Sequence, residues 1–295
     1  MNRQKTFMKI PPATIKAVLR TGRFEIPYRV YENDGPTLIC LNGIQQSMAM
    51  WQGFVTRFAR DYRIILFNFP GQGKGRALSG PVRPSLDEEV DILSQVMKAT
   101  HVNHGVSFCT ASWGGIIALA FAAKHPHAVK RLLLGSIGTR PNQRMIETIQ
   151  RGRALDVKDR AQIADLIINS FGQKLPESVK KKISAQFRTI SKENLQSFCE
   201  HGLNVLSVQK FSDHIDLKKV SVETVLIRGE EDTIVDLEDV MFVSSQIPNC
   251  QLRIIKNVGH FLHMESEKVF DIYRELLLNT VSTIDDYLDV RAKGF

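Results

Sequence analysis

Only four cysteines stand among the 295 residues, Cys40, Cys109, Cys199 and Cys250, and no two of them form a C-x-x-C pair. That scatter excludes a zinc knuckle or a redox dithiol. Cys40 and Cys109 fall in apolar runs that predict buried strands, so the thiols are expected to be reduced, neither metal ligands nor disulfides. Long apolar runs are also missing: nothing approaches the ~20 apolar residues of a membrane helix. Met1 to Pro12 is basic and lacks the apolar stretch of a signal peptide. A cytoplasmic protein without stable membrane insertion is expected. Basic residues outnumber acidic ones, 39 to 31, for a net charge of +8, yet no basic stripe is interleaved with aromatics and no zinc or helix-turn-helix spacing occurs, so nucleic acid is not an expected partner. The glycine-rich run Phe69-Pro70-Gly71-Gln72-Gly73-Lys74-Gly75 has neither a G-K-[ST] ending nor the strand-to-helix context of a dinucleotide loop. It reads as a flexible turn, and no cofactor or metal is expected.

What is present is an alternation of strand and helix. With 43% hydrophobic residues the chain can bury a large core. Lys16 to Leu19 and Phe24 to Tyr31 predict antiparallel strands, followed by strands at Thr37 to Leu41, Arg63 to Phe69, Gly105 to Thr110, Arg131 to Gly135, Val222 to Arg228 and Leu252 to Ile255, the last being the expected final strand. Helices are predicted over Met48 to Arg60, over Ser85 to Thr100, where Ser85 and Glu88 have capping-box spacing, over Ile116 to Ala123, over Leu237 to Gln246 and from about Glu265 to Leu278. The alternation stops for roughly eighty residues after Gly135, too long for one connection in a compact domain. Ile163, Leu166, Ile167 and Phe171, and then Val179, Ile183, Phe187 and Ile190, recur there at helical spacing. A helical insertion is expected.

Chemistry concentrates at three strand ends. Thr110-Ala111-Ser112-Trp113-Gly114-Gly115 predicts a strand that turns sharply into a helix with a serine at the tip, although Thr110 stands where the G-x-S-x-G elbow has its first glycine. A nucleophilic serine needs a base, and the base needs a group that fixes its tautomer and stabilises its cation. Asp232 lies just past the strand that ends at Gly229, and His260 follows Asn257-Val258-Gly259 after the next strand. Both occur in the order Ser, Asp, His. Glu230, Glu231 and His263 are the local competitors for the acid and base roles. Leu41-Asn42-Gly43-Ile44 follows an earlier strand, where one backbone N–H for a tetrahedral oxyanion would be supplied, the other coming from the residue after the serine. That nominates Ile44 and Trp113. Lys180-Lys181-Lys182 is the densest basic cluster, placed as the exposed side of an amphipathic helix.

These residues carry a family resemblance. Asn42-Gly43 with Trp51, Ala111-Ser112-Trp113-Gly114-Gly115, Gly229-Glu230-Glu231-Asp232 and Gly259-His260-Phe261-Leu262 with Glu265 resemble the α/β-hydrolase superfamily. The Ser-Trp-Gly-Gly elbow, Arg151-Gly152 and Gly172-Gln173-Lys174-Leu175-Pro176 are similar to a bacterial group acting on 3-hydroxyacyl thioesters. That group comprises 3-hydroxyacyl-carrier-protein transacylases or thioesterases and 3-(3-hydroxyalkanoyloxy)alkanoate synthases. The resemblance spans roughly Thr37 to Glu275, and Asn68 departs from it by replacing an aspartate common after the fourth strand. It implies an α/β fold with a mostly parallel sheet, helices on both faces and a helical cap inserted after the sixth strand. The expected organisation is a core over 13–137 and 221–279, a cap over 138–220 and a polar tail over 280–295. It further implies a serine acyl-transfer enzyme with Ser112 as nucleophile, His260 as base and Asp232 as its orienting acid. The expected substrates are acyl groups on acyl-carrier protein or coenzyme A, with water, coenzyme A or a second hydroxyacid as acceptor. A carboxylesterase or lipase-like hydrolase, and a non-catalytic ligand-binding protein of the same fold, are the alternatives.

Overall fold

The computed structural model describes residues 10–208 and 210–278 and the backbone of 287–290. Ten strands form one sheet. They are β1 (Ile15–Thr21), β2 (Phe24–Tyr31), β3 (Thr37–Leu41), β4 (Arg63–Phe67), β5 (Arg76–Ala77), β6 (Val106–Ala111), β7 (Val129–Gly135), β8 (Glu223–Gly229), β9 (Cys250–Ile255) and β10 (Tyr287–Val290). The order across the sheet is β1-β2-β4-β3-β6-β7-β8-β9-β10, with β5 paired to β2. All pairings from β4 through β3, β6, β7 and β8 to β9 are parallel. The two flanks are antiparallel.

Strand alternation divides the core in two. Ile39, Leu41, Ile65, Phe67, Phe108, Leu132 and Leu134 face one cluster, whereas their neighbours Leu38, Cys40, Ile64, Leu66, Cys109 and Leu133 face the other. Buried on both faces, these parallel strands read as unbroken apolar runs. The first face is covered by α2 (Leu86–Ala99), α3 (Trp113–Lys124) and α8 (Leu237–Gln246), the second by α1 (Gln52–Phe58) and α9 (Lys268–Leu278). Every residue of α3 from Trp113 to Ala122 is buried, which is why the helix that follows the serine is apolar all round. The Ser85 side chain accepts from the Glu88 N–H and the Glu88 side chain accepts from the Ser85 N–H, completing the expected capping box of α2.

Between β7 and β8 lie α4 (Gln143–Arg153), α5 (Arg160–Phe171), α6 (Glu177–Thr189) and α7 (Lys192–Val208). This insertion has its own small cluster of Ile163, Ala164, Phe187, Ile190 and Leu195. Three departures from the sequence expectation have local reasons. The two-residue strand β5 makes the insertion follow the seventh strand rather than the sixth; so short a pairing leaves no periodicity to read. The predicted helix over Met48 to Arg60 divides into a 3-10 turn at Met48–Trp51 and α1. Leu252–Ile255 lies within β9 but is not the final strand, because Tyr287–Val290, inside the segment expected as a polar tail, pairs antiparallel with it; the rest of 279–295 lies outside the described residues. All four cysteines are free, Cys40 and Cys109 at full burial. Among the described residues no helix is long and apolar enough to cross a membrane, and no cluster of His, Cys, Asp and Glu could hold a metal ion.

Candidate active site

β6 ends at Ala111 and α3 begins at Trp113, so one residue makes the whole turn. Ser112 adopts φ 47° and ψ −115°, a conformation that costs a non-glycine residue on the order of 1–3 kcal/mol and is characteristic of functional sites. The elbow is held by the Ser112 N–H, which donates to the Gly135 carbonyl at 2.8 Å. A Cβ on Gly114 would lie 2.6 Å from the Leu41 carbonyl oxygen and 2.9 Å from that of Asn42, so the start of α3 can approach β3 only with glycine there. Thr110 is accommodated at 1% exposure where a glycine was the familiar choice.

Two carboxyl-end loops bring Asp232 and His260 together. His260 Nδ1 and Asp232 Oδ2 are 2.9 Å apart. The other carboxylate oxygen accepts the N–H groups of Ile234 at 2.9 Å and Val235 at 3.1 Å. Burial raises the Asp232 pKa, but His260 and those two N–H groups outweigh it and hold the carboxyl below its ordinary value. Asp232 is therefore an anion at neutral pH. Its pairing with Nδ1 leaves Nε2 of His260 as the ring nitrogen available for proton exchange.

Each loop is riveted by residues that the motifs do not contain. The guanidinium of Arg228, only 7% exposed, donates to the carbonyls of Gly229 (2.8 Å), Glu230 (3.2 Å), Asp232 (2.8 Å) and Val235 (3.0 and 3.2 Å). It thus fixes the turn on which Asp232 sits. Glu265 accepts from the N–H groups of Gly259 (2.6 Å) and Phe261 (2.9 Å), bracketing His260, while Ser136 Oγ donates to the His260 carbonyl at 2.6 Å. A Cβ on Gly229 would stand 2.3 Å from two carbonyl oxygens of the His260 loop, so the two loops can meet only at glycine. The one signal of Arg228 in the sequence is a cation ending an apolar strand. Ser136 carries a positive φ of 52° and no sequence signal.

The competitors go elsewhere. Glu231 pairs with Lys174 of the insertion, and Glu230 accepts the Asn257 N–H at 3.2 Å. His263 is half-buried and stacked on Trp51, with ring centroids 5.2 Å apart. A cleft takes in Ser112 and His260 together, with Gln46, Met50 and Phe261 on its wall.

Beside the cleft, the loop after β3 carries Ile44. Buried Asn42 donates to the Phe67 carbonyl at 2.9 Å and to Gln72 Oε1 at 3.0 Å, and accepts from the Trp51 indole at 2.9 Å. Gln72 in turn donates to the Gly43 carbonyl at 3.1 Å, and Gln46 accepts the Gly43 N–H at 2.7 Å. Asn68, the departure from the family pattern, accepts the Met48 N–H at 2.8 Å and so ties down the same loop. The glycine-rich run is consequently a bonded turn, with Gly75 N–H donating to Gln72 O at 2.8 Å, and its buried Gln72 braces the Ile44 loop. Such bracing fixes backbone donors before any charge develops, the requirement for electrostatic stabilisation of an oxyanion.

The sequence profile described as the alpha/beta hydrolase fold matches residues 36–267. The chain is 25% identical over 264 residues to an (R)-3-hydroxydecanoyl-ACP:CoA transacylase of Pseudomonas putida, covering 87% of this chain and 88% of that one. It is 28% identical over 165 residues to a 2-hydroxymuconate semialdehyde hydrolase of Pseudomonas putida, covering 54% of this chain and 57% of the other. Among solved structures, a putative lipase of Acinetobacter baumannii superposes with a TM-score of 0.75 at 20% identity, over 90% of this chain and 91% of that one. An enol-lactonase of Burkholderia xenovorans gives 0.73 at 17% identity, over 90% and 100%.

Proposed function

Because the chain belongs to the alpha/beta hydrolase fold family, we propose that it is a serine acyl-transfer enzyme that takes 3-hydroxyacyl groups from thioesters through an acyl-enzyme on Ser112. The observation that carries the chemistry is the 2.9 Å contact of His260 Nδ1 with a buried, anionic Asp232 beside a serine in a positive-φ elbow. The substrate class is supported by the likeness, over nearly the full length of both chains, to a 3-hydroxydecanoyl-ACP:CoA transacylase.

In this reading Ser112 Oγ attacks the thioester carbonyl carbon as His260 Nε2 takes its proton. The carbonyl oxygen becomes an oxyanion that accepts from the backbone N–H groups of Ile44 and Trp113. Collapse breaks the carbon–sulfur bond, and the departing sulfur receives the proton from His260. An acceptor then repeats the sequence in reverse: its S–H or O–H gives the proton to His260, attacks the acyl-enzyme and releases Ser112. Coenzyme A as acceptor gives a transacylase and water a thioesterase. A second hydroxyacid gives an ester.

Intact-protein mass spectrometry after mixing with a 3-hydroxyacyl-carrier protein tests this. A mass increase equal to the hydroxyacyl group, located on Ser112 and discharged faster on adding coenzyme A, is the expected result. A Ser112 adduct from p-nitrophenyl esters with none from the thioester would instead favour a carboxylesterase.

A further inference from the structure

Trp113 supplies the backbone N–H next to the serine, and its side chain runs into a buried polar cluster at the seam between core and insertion. The indole Nε1–H donates to both oxygens of Glu89 on α2, at 2.9 and 3.2 Å. The ring meets His201 of α7 edge-on, with centroids 4.5 Å apart and planes at 80°. Arg83 Nε donates to His201 Nδ1 at 3.2 Å, and its guanidinium stands 5.7 Å over the Trp113 ring. One continuous set of contacts therefore joins α2, the first residue of α3 and α7.

We propose that Glu89, Arg83 and His201 are positioning residues that clamp the Trp113 indole, and with it the N–H beside Ser112, to cap helix α7, so that seating of the cap governs oxyanion stabilisation. The clamp rests on the acyl-transfer reading above for its catalytic consequence. A buried indole N–H needs an acceptor for stability alone. Stability alone, however, does not require that acceptor to be a carboxyl group, nor that the same ring be gripped from the cap. Burial raises Glu89 to about 8, against the lowering effects of Arg83 and the indole, with Glu88 adding to the rise. Burial and Arg83 also hold His201 well below its ordinary value. Around pH 7 Glu89 is consequently a neutral acid and His201 a neutral acceptor, which is the state the Arg83 bond requires. Arg83 is also influenced by Glu200 of α7. As pH rises through about 8, the Glu89 carboxylate competes for Arg83 and loosens its hold on His201.

The test compares Glu89→Gln, Glu89→Leu, His201→Leu and Arg83→Met for ester turnover, with circular dichroism confirming folding. Glu89→Leu and His201→Leu should lower kcat about tenfold or more, less than the roughly 10²–10³-fold loss of a whole oxyanion donor, with KM changed less than kcat. Glu89→Gln keeps an oxygen acceptor for the indole and should restore most of kcat. Wild-type kcat should fall above pH 8, and Glu89→Gln should abolish that fall. Arg83→Met, which removes no fully buried side chain, should accelerate amide hydrogen exchange at Trp113 to Gly115. Folded variants with wild-type kcat, or Glu89→Gln as impaired as Glu89→Leu, would overturn the clamp, as would unchanged exchange in Arg83→Met. Labelling of the wild type by a fluorophosphonate at a residue other than Ser112 would overturn the nucleophile reading instead, and the exchange comparison then judges the clamp alone.

Discussion

The sheet core and the helical insertion are built on different terms. Strands β3, β4 and β6 to β8 are buried along most of their length, and the loops at their carboxyl ends are fixed by hydrogen bonds from interior polar groups such as Asn42, Gln72 and Arg228. The insertion encloses only a few large apolar residues of its own; it joins the core through Val205, Phe211, Ile215 and Leu217, which belong to the core's apolar cluster, and through polar contacts at its rim. Gln45 Nε2 donates to the Asn194 carbonyl at 2.9 Å, Asn194 Nδ2 to the Gly73 carbonyl at 2.9 Å, and the Thr139 N–H to Asp239 at 2.6 Å. Charge divides the same way. Residues 138–220 hold fifteen Lys and Arg against nine Asp and Glu, net +6, which leaves twenty-four against twenty-two, net +2, for the remainder. The core is suited to holding reacting groups still and the insertion to meeting what arrives.

If the core alone carries the chemistry, its substitutions should dominate. Ser112→Ala removes the nucleophile and should lower acyl-ester turnover about 10⁵-fold or more, with the melting temperature unchanged because the elbow's backbone is held by neighbours. Active-site labelling and single-turnover rates measure it, and retained turnover would end the assignment. Asp232→Asn should cost roughly 10³–10⁴-fold, since the amide can present N–H to Nδ1 and stabilise the wrong tautomer of His260. Undiminished activity there would move the acid role to Glu230 or Glu231.

Arg228→Lys sharpens the comparison within the core. One ammonium cannot reach four carbonyls that a planar fork satisfies together. Leaving buried carbonyls unpaired should destabilise the fold by about 2–4 kcal/mol, measured by urea unfolding, and lower kcat about tenfold as the Asp232 turn loosens. Wild-type kcat in a destabilised protein would mean that the turn holds Asp232 without help.

Arg228 also marks what the sequence leaves unread. The apolar run of β3 locates it to the residue, since a strand buried on both faces has no other composition open to it, and β2 is located by Phe24, Ile26, Tyr28 and Val30 alternating with Glu25, Pro27 and Arg29. Ser112, Asp232 and His260 stand at turns whose glycines and strand ends are visible without coordinates. The bracing residues are not visible, because Ser136 and Gln72 act through backbone atoms of distant segments, Arg228 turns back on the carbonyls of its own following turn, and polar residues of those types usually mark solvent. Strands β5 and β10 were illegible for a related reason: edge pairings of two and four residues carry too little alternation. At the break inside Met48 to Arg60 no proline occurs, and Gly53, directly after the junction of Trp51 and Gln52, is the one local sign of it.

A pH measurement separates core stability from surface charge. Burial, the largest influence, depresses His263 to about 4 against an ordinary value of 6.5. The unfolded chain therefore binds a proton that the folded one refuses, and stability falls as pH drops from about 6.5 to 4. The loss is on the order of 3 kcal/mol. Replacing His263 with Phe, which can keep the stacking on Trp51, should flatten that part of the melting-temperature profile. An unchanged slope would assign acid sensitivity to other groups.

The smallest effect is expected on the insertion's surface. If the acyl group arrives on an acidic carrier protein, the positive face of the insertion should steer the encounter, and steering weakens as the Debye length shrinks from about 10 Å at 0.1 M salt to ~3 Å at 1 M. A neutral p-nitrophenyl ester has no charge to be steered. Lys181 and Lys182 are exposed on α6, and Lys180 pairs with Glu177 one turn earlier at 2.8 Å, so the three present little that a buried network would miss. Exchanging all three for Glu should lower kcat/KM for a 3-hydroxyacyl-carrier protein by roughly threefold to tenfold at low salt. It should leave kcat and the ester reaction unchanged and shrink the salt dependence of the carrier reaction. Parallel salt profiles for the two substrates in the unaltered protein would remove the carrier from the insertion, and the charge difference between the two regions would then need another partner to explain it.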